Sequence, residues 1–228
     1  MSQQKWESIY SNGGQLNAWP FSDLVSVFMR HKSYLFDNKK HNGPLRVLEL
    51  GFGAGNNIEF FLSQGIEYHG IEFSKSAFDW TKQRFSKLEV DNLVLGSFSN
   101  KKLYDGKFDA IIDRGSITCC TNLEVMQTMS AVSDSLNVGG LFFGVDWFSK
   151  NHSDFFLPST FVDSFTRRDF AEGQFRNTGD THFVNHEEIL NIFKDFRIHS
   201  LTEKIVRSDV PKMNSHQFAS WCIVAEKQ

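Results

Sequence analysis

The run Arg46-Val47-Leu48-Glu49-Leu50-Gly51-Phe52-Gly53-Ala54-Gly55-Asn56-Asn57 sets a carboxylate ahead of three glycines at alternate positions. Glycine lacks a Cβ, so the backbone can turn sharply there and a ligand can approach it closely. A second carboxylate, Glu72, closes the run Tyr68-His69-Gly70-Ile71-Glu72. It lies about 20 residues past the glycines, the spacing at which an acidic side chain meets a nucleoside ribose. The dinucleotide fingerprint G-x-G-x-x-G would need its third glycine at position 56, which is Asn56. The spacing is instead E-x-G-x-G-x-G. A diphosphate favours free N–H groups at a helix N-terminus. Acidic residues at two strand ends suit a cationic ligand better. Further along, Asp113-Arg114-Gly115-Ser116, Asp146-Trp147 and Asp180-Thr181-His182-Phe183 carry ionisable groups. His182 is the first candidate for a general base, because its ordinary pKa suits proton removal near neutral pH.

These groups need a scaffold, and the pattern supplies one. Leu24, Val25, Phe28 and Met29 follow helical spacing, with Ser22 or Asp23 as N-cap. Asn42-Gly43-Pro44 breaks the chain before the first strand, Arg46–Leu50. A helix is expected from about Asn57 to Gln64, then a strand at Tyr68–Glu72. Ser74 caps a helix running to about Leu88. Strands follow at Asn92–Leu95 and Phe108–Asp113, the latter with the continuous apolar run of a buried parallel strand. A helix over Leu123–Leu136 ends at Asn137 before Gly139-Gly140, and Leu141–Val145 is the fifth strand. The segment 146–184 reads as irregular. Asn185 with Glu188 forms a capping-box variant that opens a helix at Ile189–Phe193. Phe196–Val206 and Trp221–Glu226, separated by Pro211, are the last two strands. The alternation predicts a doubly wound α/β fold around a mostly parallel sheet.

At the E-x-G-x-G-x-G motif the chain resembles the class I S-adenosylmethionine-dependent methyltransferases. The resemblance covers residues 45 to 227 and is most specific at that motif. It implies a Rossmann-like, seven-stranded sheet with one antiparallel strand. It implies that Gly51, Phe52, Gly53, Gly55, Asn56 and Asn57 approach the cofactor, with Glu49 orienting the loop. Glu72 would hold the ribose hydroxyls and Phe73 would pack on the adenine. Ser97 and Phe98 stand where relatives often place an acidic residue for the adenine amino group. The Asp-Arg-Gly-Ser element is similar to that of thiopurine-type and related small-molecule methyltransferases. Asp113 would then face the methionyl end, and Arg114 would shape the site or contact an anionic acceptor. Trp6 and Tyr10, four apart on one helix face, with Trp19 and Phe21, are candidates for a closing N-terminal helix. Asp146 and His182 are the remaining acceptor-side candidates. The Asn/Asp-Pro-Pro-Tyr motif of amine-directed relatives is absent, which favours O-methylation of a small or sugar-like acceptor.

Composition bounds the alternatives. The 228 residues fit one methyltransferase domain: an N-terminal cap (1–44), a cofactor core (45–145), an acceptor-side insertion (146–184) and a C-terminal helix and hairpin (185–228). Net charge is −3, without a basic cluster, so no nucleic-acid partner is expected. The start lacks an apolar signal core and no stretch is long enough to span a bilayer, so a cytoplasmic monomer or homodimer is expected. Three cysteines, two of them adjacent, describe neither a disulfide framework nor a zinc site, and no metal is assigned. Two rivals remain: an NAD-dependent oxidoreductase using the same glycine turn, and a non-catalytic partner subunit that keeps the fold for assembly.

Overall fold

The computed structural model describes residues 2–86, 92–207 and 216–228. Helices α1 (Ser2–Ser11) and α2 (Ser22–Asn38) precede the first strand. The core then alternates: β1 (Arg46–Leu50), α3 (Ile58–Ser63), β2 (Glu67–Glu72), α4 (Lys75–Arg84), β3 (Leu93–Leu95), β4 (Phe108–Arg114), α5 (Asn122–Ser135) and β5 (Leu136–Phe148). Three short strands follow, β6 (Thr160–Phe161), β7 (Thr166–Arg168) and β8 (Thr181–His182). The chain closes with α6 (His186–Ile192), β9 (Phe196–Arg207) and β10 (Gln217–Lys227). Leu88 and Pro211, expected at a helix end and between the last strands, lie outside the described residues.

Seven strands form one sheet in the order β3-β2-β1-β4-β5-β10-β9. The β1–β2, β1–β4, β2–β3 and β4–β5 pairs are parallel, and β10 runs antiparallel to both β5 and β9. The seven-stranded Rossmann-like sheet with one antiparallel strand is therefore present as expected. β1 is flanked on both sides, which explains its apolar sequence. One face of the sheet packs on α2 and α3, where Phe28 meets Phe61 edge-to-face at 5.1 Å. The other packs on α5 and α6 through Val125, Met129, Val132 and Ile189. Among the described residues no helix is long and apolar enough to cross a membrane.

Local signals mostly act as their chemistry dictates. Ser74 accepts from the Ala77 amide at 3.2 Å and starts α4. Asn185 and Glu188 exchange the two bonds of a capping box, as do Thr121 and Glu124 at α5. α2 starts at Ser22, but Phe21 is its N-cap and makes no side-chain cap. Its buried face is Leu24, Val27, Phe28 and Leu35, with Met29 turned outward.

Two elements differ from expectation. α5 passes straight into β5 at Leu136, five residues before the expected strand start. The extra residues form a bulge: Phe108 and Ala110 of β4 pair with Leu136 and Leu141. Gly140 permits it, because a Cβ there would meet the carbonyl oxygens of Asn137 and Asp109 at 2.9 and 3.0 Å. The 146–184 segment is also not wholly irregular. It holds the antiparallel sheet β6-β7-β8 around a cluster of Phe170, Phe175 and Phe183.

Candidate active site

Chain connections leave β1 and β4 in opposite directions, and a crevice opens above that switch point. It is a cavity of about 640 Å³. The glycine turn forms its floor. Gly51, Gly53 and Gly55 have φ of +65°, +54° and +74°, a region open to glycine and strained for other residues. A Cβ on Gly51 would overlap Ser116 Oγ, and one on Gly53 would overlap Tyr10 Oη. Gly55 faces away. A Cβ there would press on Thr81, Phe85 and Ile58, so it packs the turn against α4 and does not line the cavity.

Two carboxylates hold this turn. Glu72 accepts from the Gly53 amide at 2.9 Å and the Ser74 amide at 2.7 Å. Glu49 accepts from Asn57 Nδ2 at 2.7 Å and Tyr68 Oη at 2.6 Å. Both are buried on the cavity wall, and burial pushes each pKa up to about 7 against the lowering effect of those donors. Asn56 lines the cavity and donates to the Trp19 carbonyl at 3.2 Å. Asn57 does not line it. Its side chain spans Glu49 and the Phe21 amide, so it braces the turn from behind.

Asp113, like Gly55 and Asn57, is a correction. Its Oδ1 accepts from the Ser116 and Ile117 amides at 2.9 and 3.0 Å, and its Oδ2 from Trp147 Nε1 at 2.7 Å. It is buried away from the cavity and fixes the turn after β4, rather than facing a ligand. Arg114 and Asp146 do line the cavity. Arg114 Nη2 donates to Asp146 Oδ2 at 2.7 Å, and its guanidinium lies 3.8 Å over the Phe21 ring. Asp146 also accepts from Ser220 Oγ at 2.8 Å and Lys204 Nζ at 3.4 Å, on a backbone with φ of +55°. Such strain in a non-glycine residue concentrates at working sites.

Helix α1 lies across the opening. Gln3 donates to the Phe73 carbonyl at 3.2 Å, and Glu7 accepts from Ser74 Oγ and Ser76 Oγ at 2.7 and 2.6 Å. At its N-terminus Ser2 Oγ donates to Asp180 Oδ2 at 2.9 Å. Trp6 and Tyr10 line the cavity from above. Trp6 Nε1 and Arg114 Nε are buried there with no hydrogen-bond partner among the described residues. Phe52, Phe73, Ser97 and Phe98 complete this half.

The other half belongs to the 146–184 segment and β10. Phe148, Phe175 and Phe218 present apolar faces beside Gln174, Arg168 and Asp180. Arg168 Nε donates to Asp180 Oδ1 at 2.7 Å. Thr181 lines the cavity and His182 does not, because neighbours on a strand point to opposite sides. The His182 ring is buried against Phe165 and Thr166 Oγ1, and burial pushes its pKa down to about 4. It is not placed to take a proton from a ligand. Burial pushes the Cys119 thiol on the cavity wall up to about 12, so it stays protonated. Sequence reasoning missed Ser2, Gln3, Arg168, Gln174 and Asp180. Asp180, two residues before His182, had the clearest signal.

The geometry suits a sulfonium nucleoside better than a dinucleotide. In the turn that opens α3, the Gly53 amide is engaged by Glu72, the Gly55 amide by the Phe52 carbonyl and the Ile58 amide by the Gly55 carbonyl, so these N–H groups are not free for a diphosphate. Two unpartnered N–H donors would meet an amino acid carboxylate, and two cavity carboxylates favour a cation. The comparisons agree. A family model described as a methyltransferase domain matches residues 47–140. YqeM of Bacillus subtilis, which carries a methyltransferase name, is 24% identical over 156 residues, covering 63% of this chain and 59% of its own length. A SAM-dependent methyltransferase from Anabaena variabilis superposes with a TM-score of 0.64 at 17% identity, covering 99% of this chain and 93% of its own. SAM-bound CalS10, an amino pentose methyltransferase from Micromonospora echinaspora, gives 0.58 at 16% identity, with 90% of each chain covered. Residues 47–140 thus match a methyltransferase domain, and the sheet around them has the fold of solved S-adenosylmethionine-dependent methyltransferases.

Proposed function

We propose that this chain transfers the methyl group of S-adenosylmethionine to a hydroxyl oxygen of a small, neutral, sugar-like acceptor. One observation carries the reading: a single cavity joins the glycine turn to a wall of phenylalanine faces interleaved with Gln174, Arg168 and Asp180. Aromatic faces stack on the apolar side of a ring, and planar polar side chains bond its hydroxyls. The name of CalS10 as an amino pentose methyltransferase supports the same class.

When bound, the cofactor supplies an electrophilic methyl on a cationic sulfur. This chain's residues position the partners and exclude water. Glu72 has lone pairs left for ribose hydroxyls. Trp6 Nε1 and Arg114 Nε offer donors to the amino acid end. An alcohol acceptor must lose its proton, and Asp146, held by Arg114, Lys204 and Ser220, receives it. Thus Arg114 serves the acceptor side by holding the base. The protein works in the cytoplasm as a monomer or homodimer, without nucleic acid or membrane; its three free thiols fit a reducing compartment.

The test is a transfer assay with methyl-labelled cofactor against sugars, phenols and amines. Label in an alkali-stable ether of a sugar hydroxyl is expected. Asp146→Asn should cut kcat by about 100-fold or more, with S-adenosylhomocysteine affinity nearly unchanged. Label entering only amines would overturn O-transfer, and full turnover by the variant would remove Asp146 as base.

A further inference from the structure

Behind the acceptor wall, two near neighbours in sequence meet a third, distant side chain. His152, Asp154 and His216 each bring one donor atom, all within 4.8 Å of one another. His152 and Asp154 are fully buried, and His216 is partly exposed. His216 Nε2 lies 2.9 Å from Asp154 Oδ1, and His152 Nδ1 lies 3.8 Å from the same oxygen. We propose that these three residues form a site for a divalent transition metal, with zinc the best match to the donor set.

The hydrogen bonding identifies the donor atoms that an ion would use. His152 Nδ1 accepts from the Asp154 amide at 3.1 Å, so that nitrogen carries a lone pair and no proton. The Asp154 oxygen facing it is also an acceptor. Each has a hydrogen-bond partner in this arrangement, the Asp154 amide at His152 Nδ1 and His216 Nε2 at Asp154 Oδ1, and a bound ion would take the place of those protons. Zinc bonds to nitrogen and oxygen of about 2.1 Å separate tetrahedral ligands by about 3.4 Å, a value between the two observed separations. Asp154 Oδ2 accepts from the Phe175 amide at 3.2 Å, the outer contact that orients a ligating carboxylate. The partly exposed His216 gives an entry path and leaves room for water as the fourth ligand.

The position suggests what the ion does. The His152 ring packs on Phe148, Phe175 and Phe218 at 6.0, 4.9 and 5.3 Å between centroids. All three phenyl rings line the cavity, whereas His152 does not. The ion would tie the end of β5, the 173–175 turn and the start of β10 into one rigid wall. This inference concerns metal binding alone and stands apart from the identity of the acceptor.

The test strips the full-length protein with chelator and titrates zinc chloride by calorimetry, with cobalt chloride followed by visible absorption. One ion per chain is expected, together with a cobalt d–d spectrum free of thiolate charge transfer. His216→Ala removes a partly exposed ligand with little harm to folding, and Asp154→Asn removes the central oxygen. Each should weaken zinc binding by about 100-fold or more. Zinc should also raise the wild-type Tm by about 3 °C or more and leave that of His216→Ala unmoved. No binding by wild type, or equal binding by wild type and His216→Ala, would overturn the site.

Discussion

At the scale of residues, the site turns on which side chains face the cavity and which brace it from behind. Gly53 is the sharpest case. Its backbone has φ of +54°, and the space where a Cβ would stand is taken by Tyr10 Oη. Gly53→Val would both strain the turn and push α1 away. S-adenosylhomocysteine affinity should fall by about 100-fold or more in calorimetric titration, and an unchanged value would contradict the role of this turn. Gly51, Gly53 and Glu72 were legible in sequence because their spacing constrains them, whereas Gly55 turned out to pack against α4. Asp113, Asn57 and His182 were not, because residue type gives chemistry without direction. Asp113 is consumed by two amides and Trp147, and one step of strand parity exchanges Thr181 for His182 at the cavity. His182→Ala should therefore leave turnover within about threefold of wild type. It should lower stability by about 1–3 kcal/mol in urea unfolding, since it removes a buried ring and its bond to Thr166. A large loss of kcat at unchanged stability would return His182 to the mechanism.

At the scale of elements, the βα alternation could be read in order because hydrophobic period and caps point the same way from β1 to β4. The junction of α5 and β5 could not. Gly139-Gly140 reads as a break, yet it carries a bulge inside a strand whose pairing comes from distant β4. The short sheet β6-β7-β8 was hidden for the same reason: two- and three-residue strands leave no periodic signal. Helix α1 was legible as Trp6 and Tyr10 on one face, but not its anchors. Glu7 accepts from Ser74 and Ser76 over the cofactor side, while Ser2 meets Asp180 on the acceptor side. The helix thus spans both halves of the cavity. Glu7→Ala should release α1 from the start of α4. Amide exchange in residues 2–11 should rise and S-adenosylhomocysteine should dissociate about tenfold faster, with the core sheet still protected. Equal exchange in wild type and variant would show that α1 is held by something else.

At the scale of the whole molecule, the sheet order decides the electrostatics. It places the ends of β1 and β2 side by side, and with them Glu49 and Glu72, both buried on the cavity wall. Neither carboxylate has a cationic partner among its hydrogen bonds. Burial is the largest cause of the upward shift of both to about 7, so near pH 6 most chains hold them protonated. A sulfonium cation entering between α1 and the turn favours the ionised forms, and protons must leave as it binds. The sign follows. S-adenosylmethionine should bind more tightly as pH rises from 6 to 7, by up to about tenfold per unit for each proton released, and its affinity should level off above about 8. S-adenosylhomocysteine lacks the charge on sulfur and should show a shallower slope. Calorimetry at pH 6.5 in buffers of different ionisation enthalpy would count the released protons directly. Identical heats in all buffers, together with equal slopes for the two ligands, would mean that these carboxylates shape the glycine turn without sensing the cofactor's charge.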